Sequence, residues 1–399
     1  MEFLCEKDAP RVSTTGGAVR GYRHNGLDIF KGIPYAKARR FHAPEPAQWE
    51  GTFDATSYGC VCPLLRMSRP AGELLVPHRY WVQDEDCQNL NIWTPACDAA
   101  ARPVLVWLHG GGYTDGSSIE QLAYEGGALA RAGGCVVVSL NHRLNVLGYL
   151  DLSDFGPAYE NSGNAGGEDI IAALRWVRDN IAAFGGDPGN VTVFGQSGGG
   201  GKVTTLLQTP AADGLYHKVM IQSGILPALL PDAQGSGRPC AEALLKELGL
   251  SGIGALETVP YAQLAAVYNK VAPALAAKGV NVGGRPQRGR HYLGDPLEVG
   301  FRPETLPVPL VAGSVFGEFV AFTGLGLDRA HMTQAQGTAF VEQLFGPEAA
   351  ARLIPLFAAA YPGRNPADLV FADTVCRLPT LDYLRSRAAA GGRVYGDLF

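Results

Sequence analysis

The chain has 399 residues, 46% of them hydrophobic and 18% charged, with a formal net charge of −5 at pH 7. That balance supplies a substantial core and argues against wholesale disorder. It holds no basic cluster of the kind that binds nucleic acid, and no apolar run has the length of a membrane span. The eight cysteines include no C-x-x-C pair, so zinc and redox motifs are not supported, and neither a metal nor another cofactor is expected. The opening residues 1–8 lack a basic region followed by an apolar one, which leads to the expectation of a cytoplasmic protein without a secretory leader.

Residues 11–32 alternate apolar and polar positions around Gly16-Gly17, Gly21 and Asn25-Gly26, a pattern of antiparallel strands joined by hairpins. Residues 32–36 and 41–46 read as loops punctuated by proline. Glu85 to Trp93 runs into another alternating strand. Residues 104–108 and 135–140 are near-continuous apolar runs, hence buried strands. Ile170 to Phe184 has helical spacing and stops at Gly185-Gly186-Asp187-Pro188. Residues 191–194 and 218–222 are further strands. Buried strands alternating with helices predict a largely parallel sheet with helices on both faces. From 224 to 306 the rhythm breaks, and residues 240–248 and 261–278 read as helices of an inserted region, about residues 225–306. Residues 309–313 return as a short strand, 342–361 as a helix and 393–399 as a last strand. With no repeat and no flexible linker, residues 1–399 read as one domain.

The chemistry centres on Gly195-Gln196-Ser197-Gly198-Gly199. An apolar strand leads into it and a helix, read from Lys202 to Gln208, leads out. Strand, tight turn and helix are the context that a G-x-S-x-G nucleophile elbow requires. The glycines leave room for a strained turn that lifts Ser197 Oγ above the sheet edge, near the positive end of the helix. A phosphate loop ending at Lys202 fails on spacing, since it would need Gly at 196 and Ser or Thr at 203, where Gln196 and Val203 stand. A second glycine turn, His109-Gly110-Gly111-Gly112-Tyr113, ends the strand at 104–108. Three glycines suit a sharp strand exit, but beside a serine elbow they suit an oxyanion hole. Preorganised N–H donors of that kind contribute roughly 2.7–4 kcal/mol each to a transition state.

Further stretches resemble the type B carboxylesterase family, which includes cholinesterases and bacterial para-nitrobenzyl esterases. They are Phe30-Lys-Gly-Ile-Pro-Tyr-Ala36, Glu85-Asp-Cys-Gln-Asn-Leu-Asn-Ile-Trp-Thr-Pro95, Asn141-His-Arg-Leu-Asn145, Ser162-Gly-Asn-Ala-Gly166, Ala173-Leu-Arg-Trp-Val177, Phe184-Gly-Gly-Asp-Pro188 and Ile221-Gln-Ser-Gly224. With the two glycine motifs they run in the family's order and span most of the first 224 residues. The resemblance thins through the helical region and resumes around residues 308–322. It implies an α/β-hydrolase fold and a carboxylic ester hydrolase acting through an acyl-enzyme on Ser197, with Gly111, Gly112 and Gly198 as oxyanion donors and a small-molecule ester as substrate. It implies Glu318 as the acid, although Phe-Gly-Glu-Phe replaces the family's usual Lys-Asp-Glu-Gly. It also implies buried ion pairs Arg143–Asp169 and Arg40–Glu85, and a pairing of Cys87 with Cys60 or Cys62.

Ser Oγ needs a positioned base, and in this fold the order along the chain is serine, acid, histidine. After Glu318 this sequence has one histidine, His331. The family's histidine comes later, beyond the strand that residues 394–399 resemble. The expectation is therefore a chain short of its base at the C-terminus, with His331 as the alternative base or a surface residue. His217 and His291 precede the acid. A second reading is a hydrolase-fold protein that acts by binding alone. Such relatives commonly lose the nucleophile, whereas this chain keeps Ser197, the glycine loop and the acid.

Overall fold

The computed structural model describes residues 3–4, 10–66, 79–227, 229–318, 328 and 331–398. Most of the stretch read for a leader, and the part of the family resemblance beyond residue 318, lie outside the described residues. Among the described residues ten strands share one sheet: β1 (Phe3–Leu4), β2 (Tyr22–His24), β3 (Leu27–Pro34), β4 (Asn89–Thr94), β5 (Arg102–Leu108), β6 (Val136–Leu140), β7 (Gly186–Gln196), β8 (Lys218–Gln222), β9 (Leu310–Ser314) and β10 (Val394–Leu398). Their order across the sheet is β1-β2-β3-β4-β6-β5-β7-β8-β9-β10. From β6 to β10 all pairings are parallel; from β1 to β6 all are antiparallel. The sheet is mixed, and the parallel expectation holds for its catalytic-motif half.

The central parallel strands β6, β5 and β7 are largely covered on both faces, which is why they read as apolar runs, whereas β10 at the sheet edge is exposed. Val104, Val106 and Leu108 of β5, Val136 and Val138 of β6, and Val191 and Val193 of β7 are buried in one cluster. That cluster also takes in Ile170, Leu174 and Val177 of the helix Ala165–Asn180 and Val203, Leu206 and Leu207 of the helix Gly198–Leu207. A second apolar cluster joins Leu144, Leu147 and Leu150 to Leu244 and Leu264 of the helices Arg238–Leu248 and Tyr261–Ala276.

Several elements differ from their sequence reading. The strands Arg11–Thr14 and Gly17–Arg20 form a separate small sheet with Thr52–Asp54. Residues 32–34 continue β3 instead of forming a loop. The register shifts between Phe30 and Ile33, and Gly32 takes up the irregularity with φ +69°. A side chain there would press on the backbone of Gly59, with its Cβ 2.6 Å from that nitrogen. Residues 342–361 are not one helix. Gln334–Phe345 and Pro347–Ala360 are separated at Gly346, whose φ is +82°. The helix after Ser197 starts at Gly198, four residues earlier than the propensities suggest. Glycine disfavours helix intrinsically, and here close backbone packing overrides it.

Buried charges tie the N-terminal segments to the core. Arg143 Nη2 and Nε reach Asp169 Oδ1 and Oδ2 at 2.7 and 2.8 Å, and both residues are shut off from solvent. The remaining Arg143 protons go to the carbonyls of Arg39, His42 and Ala165. Arg40 pairs with Glu85 through Nε at 2.7 Å and through Nη2, while its Nη1 donates to the carbonyls of Leu256 and Val259. Both ion pairs stand as the resemblance implied. Asp169→Ala would leave the Arg143 guanidinium buried without its counter-charge. The expected loss is about 3–5 kcal/mol of unfolding free energy, read from urea denaturation.

The cysteine alternative also resolves. Cys62 and Cys87 are both buried, whereas Cys60 is half-buried. The Cys87 thiol is pushed well up, first by its hydrogen bond with Cys62 and then by burial. Both are thiols here. Mild oxidation is expected to join Cys62 to Cys87, seen as a linked peptide by mass spectrometry, and Cys62→Ser but not Cys60→Ser should abolish that link.

Candidate active site

Ser197 stands between the last residue of β7 and the first of the helix Gly198–Leu207, with φ 56° and ψ −125°. A non-glycine residue in such a region stores roughly 1–3 kcal/mol and persists only where its surroundings hold it. Two backbone bonds do so: Ser197 N donates to Gln222 O at 2.8 Å, and Gly201 N donates to Ser197 O at 3.0 Å. The flanking glycines are required by contact. A Cβ at Gly199 would lie 2.1 Å from Leu108 O, and one at Gly195 would lie 2.5 Å from the Gly199 carbonyl carbon.

The glycine loop leaves β5 and packs directly on this turn. Gly111 and Gly112 have φ +82° and +64°. Gly111 O accepts from Asp115 N at 3.0 Å and closes the loop. A Cβ on Gly198 would fall 2.3 Å from Gly112 N, so the two backbones touch, and a Cβ on Gly110 would fall 3.6 Å from Ser197 Cβ. The structure thus brings Ser197, Gly112 and Gly198 together, with Gly111 adjoining. Peptide N–H groups gathered beside a serine at a helix N-terminus are suited to receive negative charge.

Glu318 follows β9, two strands from β7, so it and Ser197 emerge at the same carboxyl edge of the parallel strands. Its Oε1 accepts from Val315 N at 3.2 Å. A cleft of about 280 Å³ lies along this edge, lined by Gln196, Gln222, Ser223, Val315, Glu318 and Asp397 among others. Behind Glu318 sit Asp373 and Cys376, each with one side-chain atom within 4.8 Å of the others. Asp373 is committed locally, since its carboxylate accepts from the amides of Val375, Cys376 and Arg377. Burial and then the charge of Glu318 push the Cys376 thiol up to about 12.

The described histidines stand elsewhere. His331 is exposed, with Nδ1 2.8 Å from Asp328 Oδ2. His217 accepts from Val191 N near the opposite end of β8. His291 lies beside Glu168. His109 and His142 are stacked, with ring centroids 5.0 Å apart, and fully buried. Burial, more than the nearby Lys202 charge, holds both well below the usual histidine range. Each ring faces a backbone carbonyl through Nδ1, so in the neutral ring that nitrogen carries the proton. No histidine is among the described residues that line the cleft.

Sequence reasoning missed Asp373, Cys376 and the burial of Lys202. An Asp just ahead of an apolar run is a helix-start signal and marks Asp373. Nothing in the sequence places that start behind Glu318.

A nucleophile elbow and a glycine loop at the carboxyl edge of this mixed sheet define an α/β-hydrolase fold. The chain belongs to the carboxylesterase family, which it matches over residues 8–353. It is 44% identical over 246 residues to the para-nitrobenzyl esterase of Bacillus subtilis (strain 168), covering 60% of this chain and 48% of that protein. It is 39% identical over 264 residues to the phenmedipham hydrolase of Pseudarthrobacter oxydans, covering 64% of this chain and 51% of that protein. The matches thus span about half the length of these relatives. Among solved structures, an esterase from anaerobic Clostridium hathewayi, described as hydrolysing aliphatic aromatic polyesters, superposes with a TM-score of 0.96 at 51% identity. That match covers 100% of this chain and 80% of that one. A Geobacillus stearothermophilus carboxylesterase superposes at 0.73 with 34% identity, covering 98% and 79%. No helix among the described residues is long and apolar enough to cross a membrane.

The contact at Gly199 is rigid on both sides, so Gly199→Ala must move either the end of β5 or the elbow. The expected cost is about 1–3 kcal/mol, measured by denaturation, together with slower modification of Ser197 by an acylating or phosphonylating probe.

Proposed function

We propose that this protein is a serine carboxylic ester hydrolase working through an acyl-enzyme on Ser197. The observation that carries the reading is the strained Ser197 backbone next to the close contact of Gly198 with Gly112. In this mechanism Ser197 Oγ attacks the ester carbonyl carbon as its proton passes to a base. The carbonyl π bond opens, and the resulting oxyanion accepts from the N–H groups of Gly111, Gly112 and Gly198. Collapse expels the alcohol with a proton from the protonated base. Water then attacks the acyl carbon by the same route and releases the acid. Glu318 serves as the acid that would orient such a base, and no described histidine lines its cleft to act as one. Removing one oxyanion donor typically costs ~10²–10³ in kcat.

His331 is not that base. Its partner is Asp328, and both side chains are mostly exposed. His109 and His142 are not either, since each ring is buried against its own loop. The substrate class is a small carboxylic ester, and the described activity of the Clostridium hathewayi esterase makes aromatic diesters a reasonable panel to include. A binding-only role finds no support among the relatives named above, all described as esterases or hydrolases.

A fluorophosphonate probe is expected to label Ser197, read by peptide mass spectrometry. Ser197→Ala should abolish labelling with the fold intact, and His331→Ala should leave the labelling rate within about twofold, because no shared contact among the described residues links the two sites. Labelling that persists in Ser197→Ala would place the nucleophile elsewhere, and an unlabelled but folded wild-type chain would favour the binding-only role.

A further inference from the structure

Lys202 is 1% exposed, four residues into a helix whose preceding residues are all glycine. Helical side chains tilt back toward the N-terminus, so its stem runs toward the elbow. Its Nζ lies 2.8 Å from His109 O and 3.5 Å from Gly110 O. Gly110 O also accepts from His109 Nδ1 at 2.9 Å. Two features make an ammonium group costly here: it is buried, and it faces the positive end of its own helix. A lysine held at such a place, with its protons on the loop that precedes Gly111 and Gly112, has a task there.

We propose that Lys202 is a positioning residue for the glycine loop, its Nζ clamping the carbonyls of His109 and Gly110 and thereby aiming the N–H groups toward Ser197. The inference rests on the reading of that loop as an oxyanion hole. The geometric reason lies in the trans peptide, where C=O and the following N–H point in opposite directions. A donor that holds Gly110 O therefore sets the direction of Gly111 N–H, and one that holds His109 O sets the plane before it. The positive φ values at Gly111 and Gly112 leave the loop free to adopt other conformations, because glycine resists none of them. The clamp selects one.

The clamp is also sensitive to pH. Burial lowers the Lys202 amine to about 7, against the pull of Glu120 and of Cys62. The other titratable groups facing it are His109 and His142, which its charge helps to keep neutral. Tyr113, Tyr149, Glu168, His291 and Tyr292 line the same small cavity with it. The ammonium state is therefore present below pH 7 and lost as pH rises through it, and the hold on the carbonyls weakens in that direction.

The test uses the whole chain with wild-type, Lys202→Met and Lys202→Gln. Hydrogen exchange over residues 109–113, followed by mass spectrometry, is expected to quicken at least fivefold in Lys202→Met while the core strands stay protected. Lys202→Gln, whose amide still donates, should fall between. Fluorophosphonate labelling of wild-type Ser197 should decline as pH rises through 7, a decline missing from Lys202→Met, which labels at least tenfold more slowly at pH 6. Wild-type exchange and wild-type labelling profiles in Lys202→Met would overturn the proposal. If Lys202→Met does not fold, the wild-type chain decides. Exchange at 109–113, corrected for intrinsic pH dependence, rises between pH 6 and 8.5 if the clamp exists, and unchanged protection overturns it. Because exchange does not depend on labelling, a chain whose Ser197 is never labelled sinks the hydrolase reading without deciding the clamp.

Discussion

Backbone lying on backbone is the constraint on which the site depends. Where β5 and β7 end, the peptide of Gly199 sits against Leu108 O, and Gly200 sits against Gly224 just beyond β8. Any side chain at these points would separate the helix from the sheet. The close approach lets Ser197 hold its unfavourable φ and ψ, because the turn has no room to relax. It also brings the loop from the end of β5 into contact with the first residue of the helix. The serine and its neighbouring amides are thus products of one packing event.

Around that centre, buried charge does what apolar packing cannot. The Arg143 guanidinium meets Asp169 from the helix Ala165–Asn180 and carbonyls at residues 39 and 42, joining three parts of the chain at fixed angles. Arg40 does the same between Glu85 and the carbonyls of Leu256 and Val259. A hydrophobic contact tolerates sliding, while a planar guanidinium held by four or five hydrogen bonds does not. Lys202 belongs to the same pattern at the site itself, where a charge sits under the loop whose conformation matters most.

The surroundings of Glu318 are built from distant pieces. Asp373 N and Arg377 Nη2 both donate to Phe316 O, at 2.9 and 3.2 Å, so the segment that opens the helix Arg377–Ala389 braces the turn carrying Glu318. Arg364 and Arg377 lie over the Phe316 ring, which adds cation–π support from a third segment.

The sequence by itself determined the strands of the parallel half, the elbow with its serine, the glycine loop and the family. Each of these rests on local chemistry: apolar runs for strands buried on two faces, and glycines where a turn admits no Cβ. Both ion pairs were legible too, through the resemblance. What the tertiary structure decided was every choice between alternatives that local rules leave equal. It sent the first hairpin strands to a separate sheet, continued β3 across Gly32 through a register shift, and began the helix at Gly198 against glycine's own preference. It chose Cys62 over Cys60, because burial depends on which residue faces Cys87. It placed His331 at the surface with Asp328, Asp373 behind Glu318, and Lys202 beneath the glycine loop. These outcomes depend on contacts between segments as many as 93 residues apart, such as that of Lys202 with His109 and Gly110, and no local pattern encodes them.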